Sequence, residues 1–364
     1  MNTLNRKRVI AIYLPQFHPF KENDEWWGKG FTEWTNVTKA RPRFPGHYQP
    51  HLPSDLGFYD LRLPEVRDEQ AKMAKEAGIY GFCYYHYWFN GKLLMERPLK
   101  EILDSGKPDF PFMICWANEN WTRAWDGGEK HILIEQSYTD DDAREHIKWM
   151  LPYLQDQRYI RVKEKPVICI YRTTIIPNLE NMIDIWRNEA AKVGLDLYIC
   201  RFESFGVSGE EYLTKGIDAA VEFQPFTKTL SNYHKKFHLR TWDYIRRHVL
   251  RGYVPKMVNY EKYIKCVNSL GMPKYKRYPC VTPMWDNTSR RKKNAFMLTH
   301  TSPVLYGEWL KSVILNFKPY SEDENFVFIN AWNEWAEGNH LEPCQKWDDE
   351  YLNVTRKVLG TYNE

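Results

Sequence analysis

Three carboxylates, two tryptophans and three asparagines crowd into the stretch NAWNEWAEGNHLEP, Asn330 to Pro343. It directly follows the apolar run Phe326 to Ile329, which reads as a buried strand. Along a strand, residues i and i+3 point to opposite faces. A chain that turns as it leaves the strand can instead bring Glu334 and Glu337 to one side, roughly 5–6 Å apart as in a helical turn. Gly338 suits such a turn. Two carboxyls that close, among indoles, cannot both ionise cheaply, because desolvation and like-charge repulsion raise one above the other. One carboxylic acid beside one carboxylate is the equipment of glycosidic bond chemistry. A helix N-terminus with acidic first-turn residues is the plainer reading, but Trp332 and Trp335 have no part in capping. Glu342 reads as a local partner rather than a third catalytic acid.

Other residues of the same kinds gather after other apolar runs. YLPQFHP supplies Tyr13, Gln16 and His18, and the loop beyond it, WWGKGFTEW, carries Glu33 and Trp34. YYHYWFNG supplies His86, Tyr87 and Trp88. WANENWTRAWDG holds Asn118, Glu119, Asn120, Trp121, Trp125 and Asp126. Further runs end in RFES and EFQP, and MWDNTSRRKK adds Trp285, Asp286, Asn287, Arg290 and Arg291. Asn333 lies between the two tryptophans of the opening stretch. Loops that sought only solubility would not carry so much indole, whereas a concave aromatic pocket with fixed polar groups is what a ligand site needs. We expect all these residues, with Trp332 and Trp335, to bind substrate around Glu334 and Glu337. Glu119 competes for a catalytic role, but hydrogen bonding to sugar hydroxyls is the expectation. Arg290 and Arg291 are placed to hold a charged sugar or phosphate, so an anionic group on the substrate is expected. The basic run His234–Arg251 raises the same question.

Eight short runs must position these residues: Val9–Tyr13, Tyr80–Tyr85, Phe112–Trp116, Val167–Tyr171, Leu197–Arg201, Ala219–Phe223, Pro279–Met284 and Phe326–Trp332. Their nearly continuous apolar character marks parallel strands covered on both faces. Helical patterns lie between most of them. Leu63–Ala77 has Pro64 near its start and Gly78 after its end, and Asp140–Leu154 opens on three aspartates that suit the helix dipole. Asn178–Val193, Tyr260–Leu270, Pro303–Phe317 and Asp348–Leu359 complete the clear set, with a weaker pattern at Leu94–Ser105 and none evident after the fifth strand. The expected fold is an α/β (β/α)8 TIM barrel forming a single domain over residues 1–364, with long insertions after strands 1 and 6 on the C-terminal face, where barrel loops build active sites. A doubly wound open sheet is the alternative, though no GxGxxG follows the first strand.

The chain has 364 residues and a formal charge of only +4, which argues against a general nucleic-acid binder. Aromatics make up 16% of it, with 15 Trp and 24 Tyr, enough for either a Trp-rich core or stacking on sugar rings. The seven cysteines are odd in number and form no CxxC pair, so neither a disulfide framework nor a structural zinc site is expected. With no apolar stretch near the ~20 residues of a membrane span and no signal-peptide pattern at the start, a cytoplasmic location is expected, with peripheral membrane contact left open. No HExxH or Cys/His spacing suggests an essential metal, and no cofactor is expected.

The motifs YLPQFHP, GFTEWTNV, YYHYWF, WANENWTRAWDG, MWDNTSRR and NAWNEWAEG together resemble the WbsX-type family of bacterial polysaccharide-biosynthesis proteins, usually labelled glycosyltransferases. The set runs from Tyr13 to Glu342. It is also similar to the family 99 endo-α-mannosidases and endo-α-mannanases, which are (β/α)8 barrels with an Asn-Glu-Trp-X-Glu-Gly run after strand 8, here Asn333 to Gly338. That resemblance implies that Glu337 is the acid that protonates the leaving oxygen and later activates water. It implies that Glu334 is the base that draws the proton from the sugar 2-hydroxyl, giving a 1,2-anhydro sugar and net retention. Ala336 stands where the mannosidases often carry His, so the sugar identity does not follow from the two-glutamate arrangement. Three functions are therefore weighed: a retaining endo-acting hydrolase of a bacterial polysaccharide, a glycosyltransferase of O-antigen or capsule assembly, and a non-catalytic carbohydrate-binding barrel. The first is favoured over the second because no Asp-x-Asp site or Gly-rich phosphate loop is evident.

Overall fold

A computed structural model describes residues 6–123, 128–204, 206–213, 216–225 and 237–363. Parallel strands form where the apolar runs mark them: β1 (Arg8–Tyr13), β2 (Gly81–Phe89), β3 (Phe112–Trp116), β4 (Lys165–Ile170), β5 (Tyr198–Glu203), β6 (Ala219–Glu222), β7 and β8 (Phe326–Ile329). β7 consists of two segments, Arg277–Tyr278 and Cys280–Val281, interrupted at Pro279, which has no N–H for the ladder. Its first segment pairs with β6 and its second with β8. β8 then pairs with β1, Arg8 opposite Phe326, and the ring closes. The fold is an α/β TIM barrel, as the strand pattern predicts. Gly81 is required where β2 begins, since a Cβ there would stand 2.5 Å from the Pro111 carbonyl oxygen.

The connection after β1 contains α1 (Lys21–Trp27), α2 (Glu33–Lys39) and α3 (Pro64–Glu76), the last ending at Gly78 with φ +80°. α4 (Arg97–Ser105) follows β2, and α5 (Asp140–Gln155) follows β3. Thr139 caps α5 by accepting from the Asp142 N–H at 3.1 Å. α6 (Leu179–Ala191) follows β4, whereas only a 3-10 turn at Glu210–Tyr212 is seen after β5 among the described residues. The insertion after β6 carries α7 (Phe237–His248) and α8 (Tyr260–Leu270); α9 (Pro303–Asn316) follows β7 and α10 (Glu350–Tyr362) follows β8. No described helix is long and apolar enough to cross a membrane.

The strand residues are buried almost without exception, and each fully covered Ile, Leu or Phe stabilises the fold by about 1.5–3 kcal/mol. Because successive side chains alternate between faces, each strand feeds two different environments. On β2, His86 and Trp88 turn to α5: the His86 and His146 Nε2 atoms lie 2.9 Å apart, and the Trp88 indole N–H donates to Asp142 at 2.7 Å. Tyr85 and Tyr87, on the opposite parity, line a cavity at the C-terminal end of the barrel. Five cysteines (Cys83, Cys115, Cys169, Cys200 and Cys280) lie buried in the strands as free thiols.

Candidate active site

The cavity at the barrel mouth has a volume of about 510 Å³. The strand ends supply Leu14 and Gln16 after β1, Tyr85 and Tyr87 from β2, Ala117 after β3, Tyr171 after β4, Phe223 after β6 and Asn330 after β8. Loops add Glu119, Asn120, Trp121, Trp285, Asn287, Arg290 and Arg291, and Glu334 and Glu337 form part of the wall.

The two glutamates converge because the chain reverses direction a few residues after leaving β8. Asn333–Glu334 pairs antiparallel with Asn339–His340, and a 3-10 turn over Trp335–Glu337 connects them. Gly338 closes the turn at φ +54°, where a Cβ would meet the Asp286 carbonyl oxygen at 2.9 Å, so both its conformation and its surroundings favour glycine. The Asp286 N–H in turn donates to the Glu337 carbonyl at 2.7 Å and fixes the turn against the loop after β7.

One guanidinium joins the carboxyls. Arg290 reaches Glu334 through Nη2 at 3.0 Å, Glu337 through Nη1 at 3.0 Å and Glu33 through Nε at 2.8 Å. The Glu334 and Glu33 side chains are 9% and 0% exposed and that of Glu337 is 22% exposed, so Glu337 is the most open of the three. Burial pushes the Glu334 carboxyl up to about 8, against the pull of Arg290, and the Glu337 charge adds to the rise. Burial also raises Glu337, opposed by Arg290 and Arg291. Burial therefore keeps a proton on Glu334 at neutral pH while one cation holds the three carboxyls in place.

Glu342, in the same stretch, is used differently. It accepts from the Trp335 indole at 2.6 Å, the Tyr59 hydroxyl at 2.8 Å and the Gln70 amide at 2.6 Å. This sealed knot lies behind the turn and anchors it to α3, the local role its sequence suggests.

Several residues expected to face substrate stand outside the cavity. Tyr13 donates to Gln70 at 2.6 Å on the helix side of β1. His86 and Trp88 face α5, and Trp332 packs on Phe82 at 5.1 Å in the shell around the barrel. Burial holds His18 down at about 4, away from the cavity wall. The Trp34 indole N–H donates to the Tyr59 carbonyl at 2.8 Å. Asn118 closes its own loop by donating to the Arg172 carbonyl at 2.9 Å and accepting from the Arg172 N–H at 2.8 Å. Asn333 does the same for the end of β1, accepting from the Leu14 N–H at 2.8 Å. Asp286 accepts from His47 at 2.7 Å and Gln49 at 2.9 Å. Trp335 stacks on His340 at 3.8 Å. These ten are supports of the site, each packed against or bonded to other parts of the protein rather than lining the cavity. Trp125 and Asp126 lie outside the described residues. Glu203 of RFES and Glu222 of EFQP point away from the cavity to Arg277, at 3.1 and 3.5 Å.

Sequence reasoning passed over Tyr85, Tyr171, Phe223 and Asn330 as lining residues, and Glu33 as a partner of Arg290. For the first four a signal existed: each shares the inward parity of its strand, two residues from another inward side chain. Nothing in local sequence links Glu33 to Arg290, 257 positions away. Among the described residues no group of three or more His, Cys, Asp or Glu is arranged to hold a metal ion.

Relatives share this architecture. The uncharacterized protein WxcX of Xanthomonas campestris pv. campestris is 38% identical over 353 residues, covering 96% of this chain and 49% of the relative, so the chain spans about half the length of the curated relatives it matches. The GH99 endo-α-mannosidase of Bacteroides thetaiotaomicron superposes with a TM-score of 0.56 at 15% identity, covering 98% of this chain and 97% of that one. A structure described as a glycoside hydrolase-like protein gives 0.57 at 14% identity, with 98% and 95% covered. At such identities these structures show the shared fold. The model of the family described as Glycosyltransferase WbsX matches residues 9–355, and the chain belongs to that family.

Proposed function

We propose that the protein is a carbohydrate-active enzyme whose Glu334 and Glu337 act on a glycosidic bond with retention, and that its main reaction is endo-acting hydrolysis of a bacterial polysaccharide. The observation that carries this reading is the pair of glutamates tied to one arginine in an aromatic-walled cavity, with burial raising both carboxyls. The aromatic walls, with Tyr87, Trp121 and Trp285, suit the C–H faces of sugar rings, while Gln16, Glu119, Asn120 and Asn287 suit hydroxyls.

In the first step the protonated Glu337 gives its proton to the leaving glycosidic oxygen as the C–O bond breaks. Glu334 takes the proton of the 2-hydroxyl, whose oxygen attacks the anomeric carbon and forms a 1,2-anhydro sugar. Water then opens that ring from the side opposite the new C–O bond. Glu337 removes a proton from the water and Glu334 returns one to the 2-oxygen, so both carboxyls regain their starting state. Two displacements at one carbon give retention. In the free protein burial holds a proton on Glu334, so the base must lose that proton before the first step. An acceptor hydroxyl in place of water would make the same pair a transglycosylase.

The family description favours a second reading, transfer from an activated sugar during polysaccharide assembly. Incubation with fluorogenic α-glycosides and isolated surface polysaccharide, with and without nucleotide sugars, separates the two. Oligosaccharide release without a donor is expected; UDP or GDP release only in the presence of an acceptor would assign transfer instead. Glu337→Gln should slow turnover of poor leaving groups by ~10²-fold or more yet spare fluoride release from glycosyl fluorides in the first step, since fluoride leaves without a proton. Glu334→Gln should be slow on both. The opposite pattern would exchange the two roles, and full activity in both variants would remove the pair from the chemistry.

A further inference from the structure

The catalytic cavity adjoins a second one of about 540 Å³, and both are lined by Arg290. Their aromatic walls also meet: Trp26 of the second cavity lies 6.3 Å from Trp121 of the first, ring centroid to ring centroid. Trp27 and Phe31 extend that wall, 5.8 Å apart. These side chains come from α1 and the turn leading to α2, so the long insertion after β1 builds this groove.

The charge of the groove differs from that of the catalytic cavity. No carboxylate lines it, whereas Lys39, Arg41, Arg43, Arg290 and Lys292 do. Two of these cations are already committed. Arg43 donates to the carbonyls of Thr288, Arg291 and Lys292, which fixes the loop after β7, and Arg290 is held by its three glutamates. Lys39, Arg41 and Lys292 are exposed, and among the described residues none of the three pairs with a carboxylate. Arg41 donates only to the carbonyls of Thr38 and Ala40. Thr288, 5% exposed, is also in the lining.

We infer that this groove is a binding subsite for an anionic segment of the glycan, uronate- or phosphate-bearing, next to the bond processed at Glu334 and Glu337. Indole faces take the apolar side of a sugar ring, and the rim of lysines and arginine takes its anionic substituent. Recognition of the anion, which sequence alone placed on Arg290 and Arg291, thus extends to Lys39, Arg41 and Lys292. The inference rests on the catalytic reading above and names the substrate class for it.

Calorimetric titration of the Glu334→Gln protein tests it without turnover. The probes are a hexamer of galacturonic acid, a glycerol-phosphate hexamer and a neutral hexamer of glucose, each at low and high salt. At least one anionic hexamer is expected to bind about tenfold tighter than the neutral one at low salt, with the gap closing as salt screens the charges. The anion that binds tighter assigns carboxylate or phosphate as the substituent. Adding Lys39→Gln, Arg41→Gln and Lys292→Gln should abolish the preference, and Trp26→Ala should weaken the two sugar hexamers. Equal binding of neutral and anionic hexamers, or a preference that survives the three glutamine substitutions, overturns the subsite. Loss of glycan turnover in the native protein with the preference intact would count against the catalytic reading alone.

Discussion

Glu334 and Glu342 lie eight residues apart in one stretch, both are buried, and burial raises both carboxyls, to about 8 and about 7. Their surroundings separate them. Glu342 is enclosed by three donors from Trp335, Tyr59 and Gln70, every one of them directed at its oxygens. Glu334 shares one guanidinium with two other carboxyls and faces a cavity. A displaced pKa therefore does not by itself mark a working group. What distinguishes the two is that the hydrogen-bonding capacity of Glu342 is used up inside the protein, while the Arg290 cluster borders space that a substrate can enter.

The largest effect should come from removing the shared cation. Arg290→Met leaves three carboxyls facing one another without a counter-charge, and denaturant unfolding at pH 7 should show a loss of about 3–5 kcal/mol, the range for breaking a buried ion pair. The loss should shrink as pH falls, because burial favours the protonated forms of Glu334 and Glu337. A variant as stable as the native protein at pH 7 would mean that Arg290 does not couple the three.

Breaking the sealed cluster should cost less and affect turnover less. Glu342→Gln turns one acceptor oxygen into an N–H₂ facing existing donors, so the unfolding free energy should drop by roughly 1–3 kcal/mol. Turnover should fall by less than about tenfold, since the carboxyls of the working pair remain and only the support behind their turn is weakened. A loss of turnover as deep as that of Glu337→Gln, at unchanged stability, would erase the distinction between the two clusters.

The smallest expected effect is a difference in pH slope. The folded-state pKa of Glu334 lies above its unfolded value, so its contribution to stability is fully present below about pH 4.5 and is lost as pH rises through about 8. Glutamine at this position cannot titrate. The stability of the native protein relative to Glu334→Gln should accordingly fall by about 1 kcal/mol between pH 6 and pH 7 in thermal or urea unfolding. Glu342 is present in both proteins, so its own titration cancels. Parallel curves would place the Glu334 proton elsewhere.

Much of this architecture was legible before any coordinates. Eight apolar runs marked eight barrel strands, and Gly78 after α3, Pro64 at its start and the aspartates opening α5 punctuated the chain as capping chemistry predicts. The resolution failed at the scale of single side chains. YYHYWF was read as one cluster, yet a period of two sends Tyr85 and Tyr87 to the cavity and His86 and Trp88 to α5. The same division placed Tyr13 against Gln70 while Leu14 and Gln16 lined the site. Asn118 and Asn333 looked like ligand groups, but their amides bond backbone across loops, a use that residue type cannot reveal.

The sequence by itself determined the fold class, because strand-length apolar runs alternating with capped amphipathic segments leave few ways to bury both, and it determined that Glu334 and Glu337 leave the last strand together through a turn at Gly338. Only the tertiary structure decided what those carboxyls meet. Arg290 and Glu33 come from opposite ends of the chain, and the charge balance of the site depends on distances of about 3 Å that barrel closure alone sets. Local sequence fixes which side chains are available, but through-space electrostatics depends on which of them folding brings within reach.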